Sequence, residues 1–266
     1  MTNLDIPQLV PGALTVAVTS GKGGVGKTTT VVALAANLTA AGYNVIVVDA
    51  DLAGPNVHLI AELGDVTLTA VAEPLSLNLP VSPHGFRVST PVSITHATGV
   101  GTHVSVNDLG AMAQYAQACD IVIVDLPPGW TNEHDAVARM LPDVIVAVVA
   151  PTAAAISDHD RHQTAWSDAW TTATDKVRSR DKRRKWNELP AAPTVVTVET
   201  MARFTGIADT GGAPITIRRS DAVTADEMCE AVNPVTSVTS AATMSELAAT
   251  AEVGVLVAAV LAARRT

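Results

Sequence analysis

Cysteine is nearly missing from this chain: Cys119 and Cys229 are the only two in 266 residues. That is too few for a disulfide framework, and no CxxC pair offers a metal clip. Aromatic residues make up 3%, so the core must be built from Val, Ala, Leu and Ile. Charge is also scarce, at 16% of residues, and its balance is acidic, with a formal net charge of −9. A wholly basic nucleic-acid binder is excluded, although a local patch is not. No uncharged apolar run approaches the ~20 residues that a bilayer-spanning helix needs. The longest, VGVLVAAVLAA at 253–263, has 11. Its apolar residues surround the helix instead of facing a basic stripe, so it reads as a core-packing last helix and not as a membrane anchor. The first residues, MTNLDIPQLVPG, place no basic group ahead of an apolar stretch, unlike a secretory signal. A cytoplasmic protein without stable membrane association is expected.

What is present is a set of short β-branched runs that do not alternate: LTVAVT (14–19), NVIVVDA (44–50), DIVIVDL (120–126) and DVIVAVVA (143–150). Continuous apolar strands belong to a parallel sheet covered on both faces. Between the first two, VVALAANLTAAG (31–42) reads as a helix ended by Gly42, which completes a βαβ unit of the size that right-handed crossovers need. PTVVTVE (193–199) and APITI (213–217) read as later strands, and 64–107 as short strands and loops. Residues 158–189 read as one long helix ending before Pro190. With neither internal repeat nor flexible linker, residues 1–266 are expected to form one doubly wound, mostly parallel α/β domain, with an N-terminal extension over 1–13.

Directly after the first strand stands SGKGGVGKTTT (20–30), which satisfies two phosphate-binding fingerprints. Gly21, Gly23 and Gly26 fit the dinucleotide pattern GxGxxG; Gly21, Gly26, Lys27 and Thr28 fit the triphosphate pattern GxxxxGK[ST]. Asp49 or Asp51 could serve a dinucleotide ribose by spacing alone. That reading leaves Lys27, Thr28 and the second aspartate without a task. In a triphosphate site each has one. Backbone N–H groups over Gly23, Gly24, Val25, Gly26, Lys27, Thr28 and Thr29 cradle the phosphates, Lys27 neutralises β/γ oxygens, and the Thr28 hydroxyl binds Mg²⁺. Asp125, closing the apolar run DIVIVDL, stands where a Walker-B aspartate meets the magnesium shell. The loop reads as a triphosphate site.

KGGVGKTT (22–29) resembles the deviant Walker A motif of the MinD/ParA class of P-loop ATPases, whose hallmark is the early lysine, here Lys22. Within that class the sequence is similar to the Mrp family of iron–sulfur carrier ATPases. DADLAGPN (49–56) matches that family's switch I and DLPPGWTNEHD (125–135) its switch II, including Pro127, Pro128 and Gly129. APTAAAISDHDR (150–161) and VETMARF (198–204) match two later segments. The resemblance implies a P-loop NTPase fold and a homodimer on ATP binding, with ATP and Mg²⁺ as ligands. It also implies that Lys22 reaches the partner's γ-phosphate, that Asp51 orients the attacking water, and that Asp49 and Asp125 sit in the outer magnesium shell. Two departures stand out. Mrp-type carriers follow VENMxxF with a CPxC-like pair, whereas this chain reads VETMARFTGIADTGG; without thiolates there, the sequence argues against an iron–sulfur cluster of its own. Thr200 also replaces the Asn that the family places near adenine.

KVRSRDKRRK (176–185) carries seven of the 17 Lys and Arg residues. Lys182, Arg183, Arg184 and Lys185 could contact DNA phosphates without sequence preference, dock an acidic partner, or form a solvated helix face. Trp166, Trp170 and Trp186 flank the region and read as core anchors. His159 and His162 in DHDRH (158–162) read as polar helix surface before a metal site. Three roles remain open for a slow, partner-stimulated ATPase: positioning or partitioning a cargo through a client protein or DNA, assembly of a metalloenzyme, or nucleotide binding without hydrolysis.

Overall fold

The computed structural model describes residues 13–63, 79–90, 119–150, 152–180, 192–200, 215–217 and 251–263. Among the described residues seven strands form one sheet: β1 (Leu14–Ser20), β2 (Val45–Asp49), β3 (Arg87–Ser89), β4 (Ile121–Pro128), β5 (Val144–Val149), β6 (Thr194–Thr200) and β7 (Ile215–Ile217). Their order across the sheet is β3-β2-β4-β1-β5-β6-β7. Every neighbouring pair is parallel. The helices are α1 (Lys27–Ala40), α2 (Val57–Ile60), α3 (Asn132–Arg139), α4 (Ala153–Arg180) and α5 (Ala251–Ala262). The doubly wound, parallel α/β fold expected from the continuous apolar runs is the one observed.

Each central strand divides its side chains between two cores, as the two-residue period of a strand demands. Val16, Val18, Val45, Val47, Ile121 and Ile123 face one core, where α1 contributes Leu34 and Leu38. Ala17, Ile46, Val48, Val122 and Val124 face the other, with Ala136 and Val137 of α3 and Trp166 of α4. Burial on both faces is why these strands carry no polar alternation. Within α5, Val253, Leu256, Val257 and Val260 lie buried in the first core, as expected of a packing helix. No helix among the described residues is long and apolar enough to cross a membrane.

The long helix starts earlier than the expected residue 158. Thr152 accepts the Ala155 N–H at its hydroxyl, 3.2 Å away, and the Ile156 N–H at its carbonyl, 2.9 Å away. A threonine cap followed by three alanines is a strong helix start, so α4 begins at Ala153. Of the basic segment, residues 181–185 lie outside the described residues, as does Trp186, and so do most of 64–107 apart from β3 and the turn before it.

Candidate nucleotide site at the carboxyl ends of β1, β2 and β4

Three strand ends meet where ligands of open α/β sheets bind. Asp49 and Asp125 are register partners on β2 and β4, and Val18 of β1 lies opposite Asp125 on its other side. Beyond β1 the chain turns through Gly21–Gly26 into α1. Gly24 and Gly26 hold φ of 74° and 83°, the left-handed region that an L side chain adopts only with strain. Gly21 is held for a different reason. A Cβ there would lie 2.6 Å from the Asp158 carbonyl oxygen of α4, so the loop and that helix touch backbone to backbone. The first-turn N–H groups of α1 point out of the helix without intrahelical partners, which makes this end attractive to anions.

Lys27 and Thr28 converge on one carboxylate. The Lys27 Nζ donates to Asp125 Oδ1 at 2.5 Å and the Thr28 hydroxyl to Asp125 Oδ2 at 2.7 Å. Burial pushes the Asp125 carboxyl up from its ordinary range, and the Lys27 ammonium pulls it back. Asp49 is raised to about 7, first by burial and next by the neighbouring Asp125, while the N–H groups of Val57 and Asp51 counter this. Those bonds measure 3.0 Å from Val57 N to Oδ2 and 3.2 Å from Asp51 N to Oδ1. Asp49 thereby also fixes the loop that follows it. Asp51 is half-buried and accepts the Gly54 N–H at 3.0 Å. Lys22 is exposed. In the segment that resembles switch II, Pro127 is buried, Pro128 is exposed 3.8 Å from where a Gly23 Cβ would be, and Gly129 donates its N–H to the Ser20 carbonyl at 2.9 Å with φ of 73°.

The donor set is oxygen-rich and hard: two carboxylates and a hydroxyl beside an ammonium. It suits magnesium arriving with phosphates. Among the described residues no three His, Cys, Asp or Glu side chains form a cage that could hold a metal by themselves. Thr200 serves the loop directly. Its hydroxyl donates to the Val25 carbonyl and its side chain lies 3.7 Å from where a Gly26 Cβ would be.

One group of residues escaped the sequence reading. His159 and His162, expected on the surface, are both buried, because they fall on the α4 stripe that also carries Ala155 and Trp166. Trp166 is a core anchor as expected. His162 meets His134 of α3 and Thr19 of β1 beneath Trp130. The available signal was Thr131-x-x-His134, in which His takes the place of the Glu in a capping box: the Thr131 N–H donates to His134 Nδ1 at 3.2 Å.

Residues 13–172 match a family described as ParA: NUBPL iron-transfer P-loop NTPase. The iron-sulfur cluster carrier protein of Methanocaldococcus jannaschii is 32% identical over 152 residues, covering 53% of this chain and 50% of that protein. The cytosolic Fe-S cluster assembly factor CFD1 of Candida glabrata is 31% identical over 154 residues, covering 53% and 54%. The chain thus spans about half the length of these curated relatives. Among solved structures, the septum site-determining protein MinD complexed with Mg-ADP from Pyrococcus horikoshii OT3 shares the fold, with a TM-score of 0.60 at 17% identity over 89% of this chain and 94% of that one. Because the family match runs over more than half of the sequence, through the phosphate loop, both switch segments and the first part of α4, this chain belongs to the ParA/NUBPL iron-transfer P-loop NTPases.

Proposed function

We propose that the chain binds Mg-ATP, dimerises on it, hydrolyses it slowly, and uses the cycle to time its engagement of a metallocluster-assembly client. The single observation that carries the nucleotide part is the Lys27–Asp125–Thr28 constellation beneath a glycine loop, with Lys27 and Asp125 buried. Phosphoryl transfer needs positive charge on the equatorial oxygens more than it needs covalent chemistry. Here Lys27 and the loop N–H groups supply that charge to the phosphates. Thr28 would hold the magnesium directly, with Asp49 and Asp125 behind it through water; when bound, the ion would neutralise charge developing on the β and γ oxygens. Asp51 would align the attacking water. The exposed Lys22 would reach the partner's γ-phosphate, so that hydrolysis requires the dimer.

The client assignment rests on kinship with proteins named as iron-sulfur carriers and an assembly factor. This chain has no cysteine pair after VETMARF, so the cluster belongs to the client and not to this protein. The alternative role, positioning a cargo through DNA or an acidic surface, is favoured by one feature only, the seven basic residues of 176–185.

Phosphate release from Mg-ATP tests the proposal. Wild type should turn over slowly. Lys22→Ala and Asp51→Ala should each bind ATP yet lose turnover by about 100-fold, the scale of losing one transition-state contact. Full activity in either variant contradicts the assigned role, and failure of wild type to bind ATP contradicts the proposal as a whole.

A further inference from the structure

Thr19, His134 and His162 are all buried, and their polar atoms converge. His134 Nε2 lies 3.0 Å from Thr19 Oγ1, and His162 Nε2 lies 2.5 Å from the same oxygen. The proton order follows from the partners. The Thr131 backbone N–H, 3.2 Å away, can only donate, and the Thr131 hydroxyl, 3.0 Å from the same nitrogen, can donate as well, so His134 Nδ1 accepts. A neutral ring accepting at Nδ1 carries its proton on Nε2 and donates it to Thr19 Oγ1. The one hydroxyl proton of Thr19 is then free for His162 Nε2, and His162 carries its own proton on Nδ1. Every bond runs in one direction, from Thr131 through His134 and Thr19 to His162. Burial holds both rings neutral, pushing His134 down to about 3 and His162 to about 4.

This chain of bonds has a location that packing alone does not require. Trp130, the residue after Gly129 of switch II, stacks on His134 at 5.1 Å and sets its edge against His162 and Trp166, each at 5.4 Å. His162 lies one helical turn beyond Asp158, whose carbonyl abuts Gly21 of the phosphate loop. Thr19 sits just before that loop on β1. Helix α4 therefore touches the phosphate loop at one point and switch II at the next. Lys176, the first residue of the basic segment, lies about 21 Å further along α4 from His162 at a rise of 1.5 Å per residue, near the helix end at Arg180.

We propose that Thr19, His134 and His162 form a hydrogen-bonded relay that ties switch II to α4, and that they act as positioning residues through which the state of the nucleotide is transmitted to that helix. The function of the relay rests on the nucleotide-switch reading; its hydrogen-bond order does not.

Two measurements test it. Long-range proton–nitrogen correlation spectra of the ¹⁵N-labelled full chain, nucleotide-free and near neutral pH, should find His134 protonated on Nε2 and His162 on Nδ1. The opposite tautomer at either ring overturns the relay. Thr19→Val removes the hydroxyl at nearly constant shape, and Thr19→Ser restores it. Thr19→Val should bind ADP within about twofold of wild type, while its turnover and its preference for ATP over ADP each fall about tenfold, the value of one lost hydrogen bond. Thr19→Ser should recover both. Unchanged preference and turnover in Thr19→Val overturn the proposal, and so does an equal loss of ADP and ATP affinity, which marks a purely structural hydroxyl. A wild-type chain that binds no ATP defeats the nucleotide reading and the relay's role with it, while the tautomers still report whether the bonds exist.

Discussion

At Asp125 one buried carboxylate satisfies Lys27 with one oxygen and Thr28 with the other, so the two groups proposed to meet phosphate and magnesium are held by the same side chain. These residues were legible because their spacing within a short motif is the chemistry itself. The histidine relay was not legible. His134 is 115 residues from Thr19 and His162 is 143 residues from it, and nothing in local spacing says that three strands of chain will meet. The buried rings carry a pH signature. An unfolded chain takes up imidazole protons below about 6.5, whereas the folded chain resists until about 4 at His162. The stability held by this neutral ring is therefore fully present above 6.5 and is lost as pH falls from there toward 4. Asp49, raised to about 7, acts in the opposite direction, because the folded chain takes up that proton first. The histidine effect is thus read as a difference between two proteins. In denaturant unfolding, His162→Gln should gain about 2 kcal/mol relative to wild type between pH 7 and pH 5. A difference that stays constant with pH contradicts a buried neutral His162.

Elements were legible in proportion to how far their pattern exceeds chance. Six strands were readable from apolar runs, and α1 and α5 from apolar helices. The edge strand β3, only Arg87–Ser89, has no run to recognise; it exists because β2 offers it a free edge. The start of α4 is hard to see in the sequence because its threonine cap and three alanines fall inside a motif-like segment. That helix also bears directly on the glycine loop. Adding a methyl group at Gly21 places a Cβ 2.6 Å from a backbone carbonyl, which no rotamer can relieve. Gly21→Ala should lower stability by about 1–3 kcal/mol, the usual cost of overpacking, with a drop in thermal midpoint that Mg-ATP does not restore to the wild-type value. A midpoint equal to that of wild type would mean that α4 does not rest on the loop.

For the whole molecule, the strand order places the ends of β2, β4 and β1 side by side, and the site is a consequence of that topology. The family match runs over the same residues as the phosphate-loop and switch motifs. Neither says how two copies meet, since the sequence writes a dimer only as one exposed lysine without an obvious task. That makes Lys22 the central claim. In the proposed two-fold dimer each site would take Asp51 from the subunit that binds its nucleotide and Lys22 from the partner. Mixing Lys22→Ala with Asp51→Ala then builds hybrids with one intact site and one site lacking both groups. Phosphate release should be negligible for each variant alone and should return to about a quarter of the wild-type rate on equal mixing, because half of randomly paired dimers are hybrids with one working site. A mixture as inactive as its components would place Lys22 and Asp51 in the same subunit's site and contradict the account.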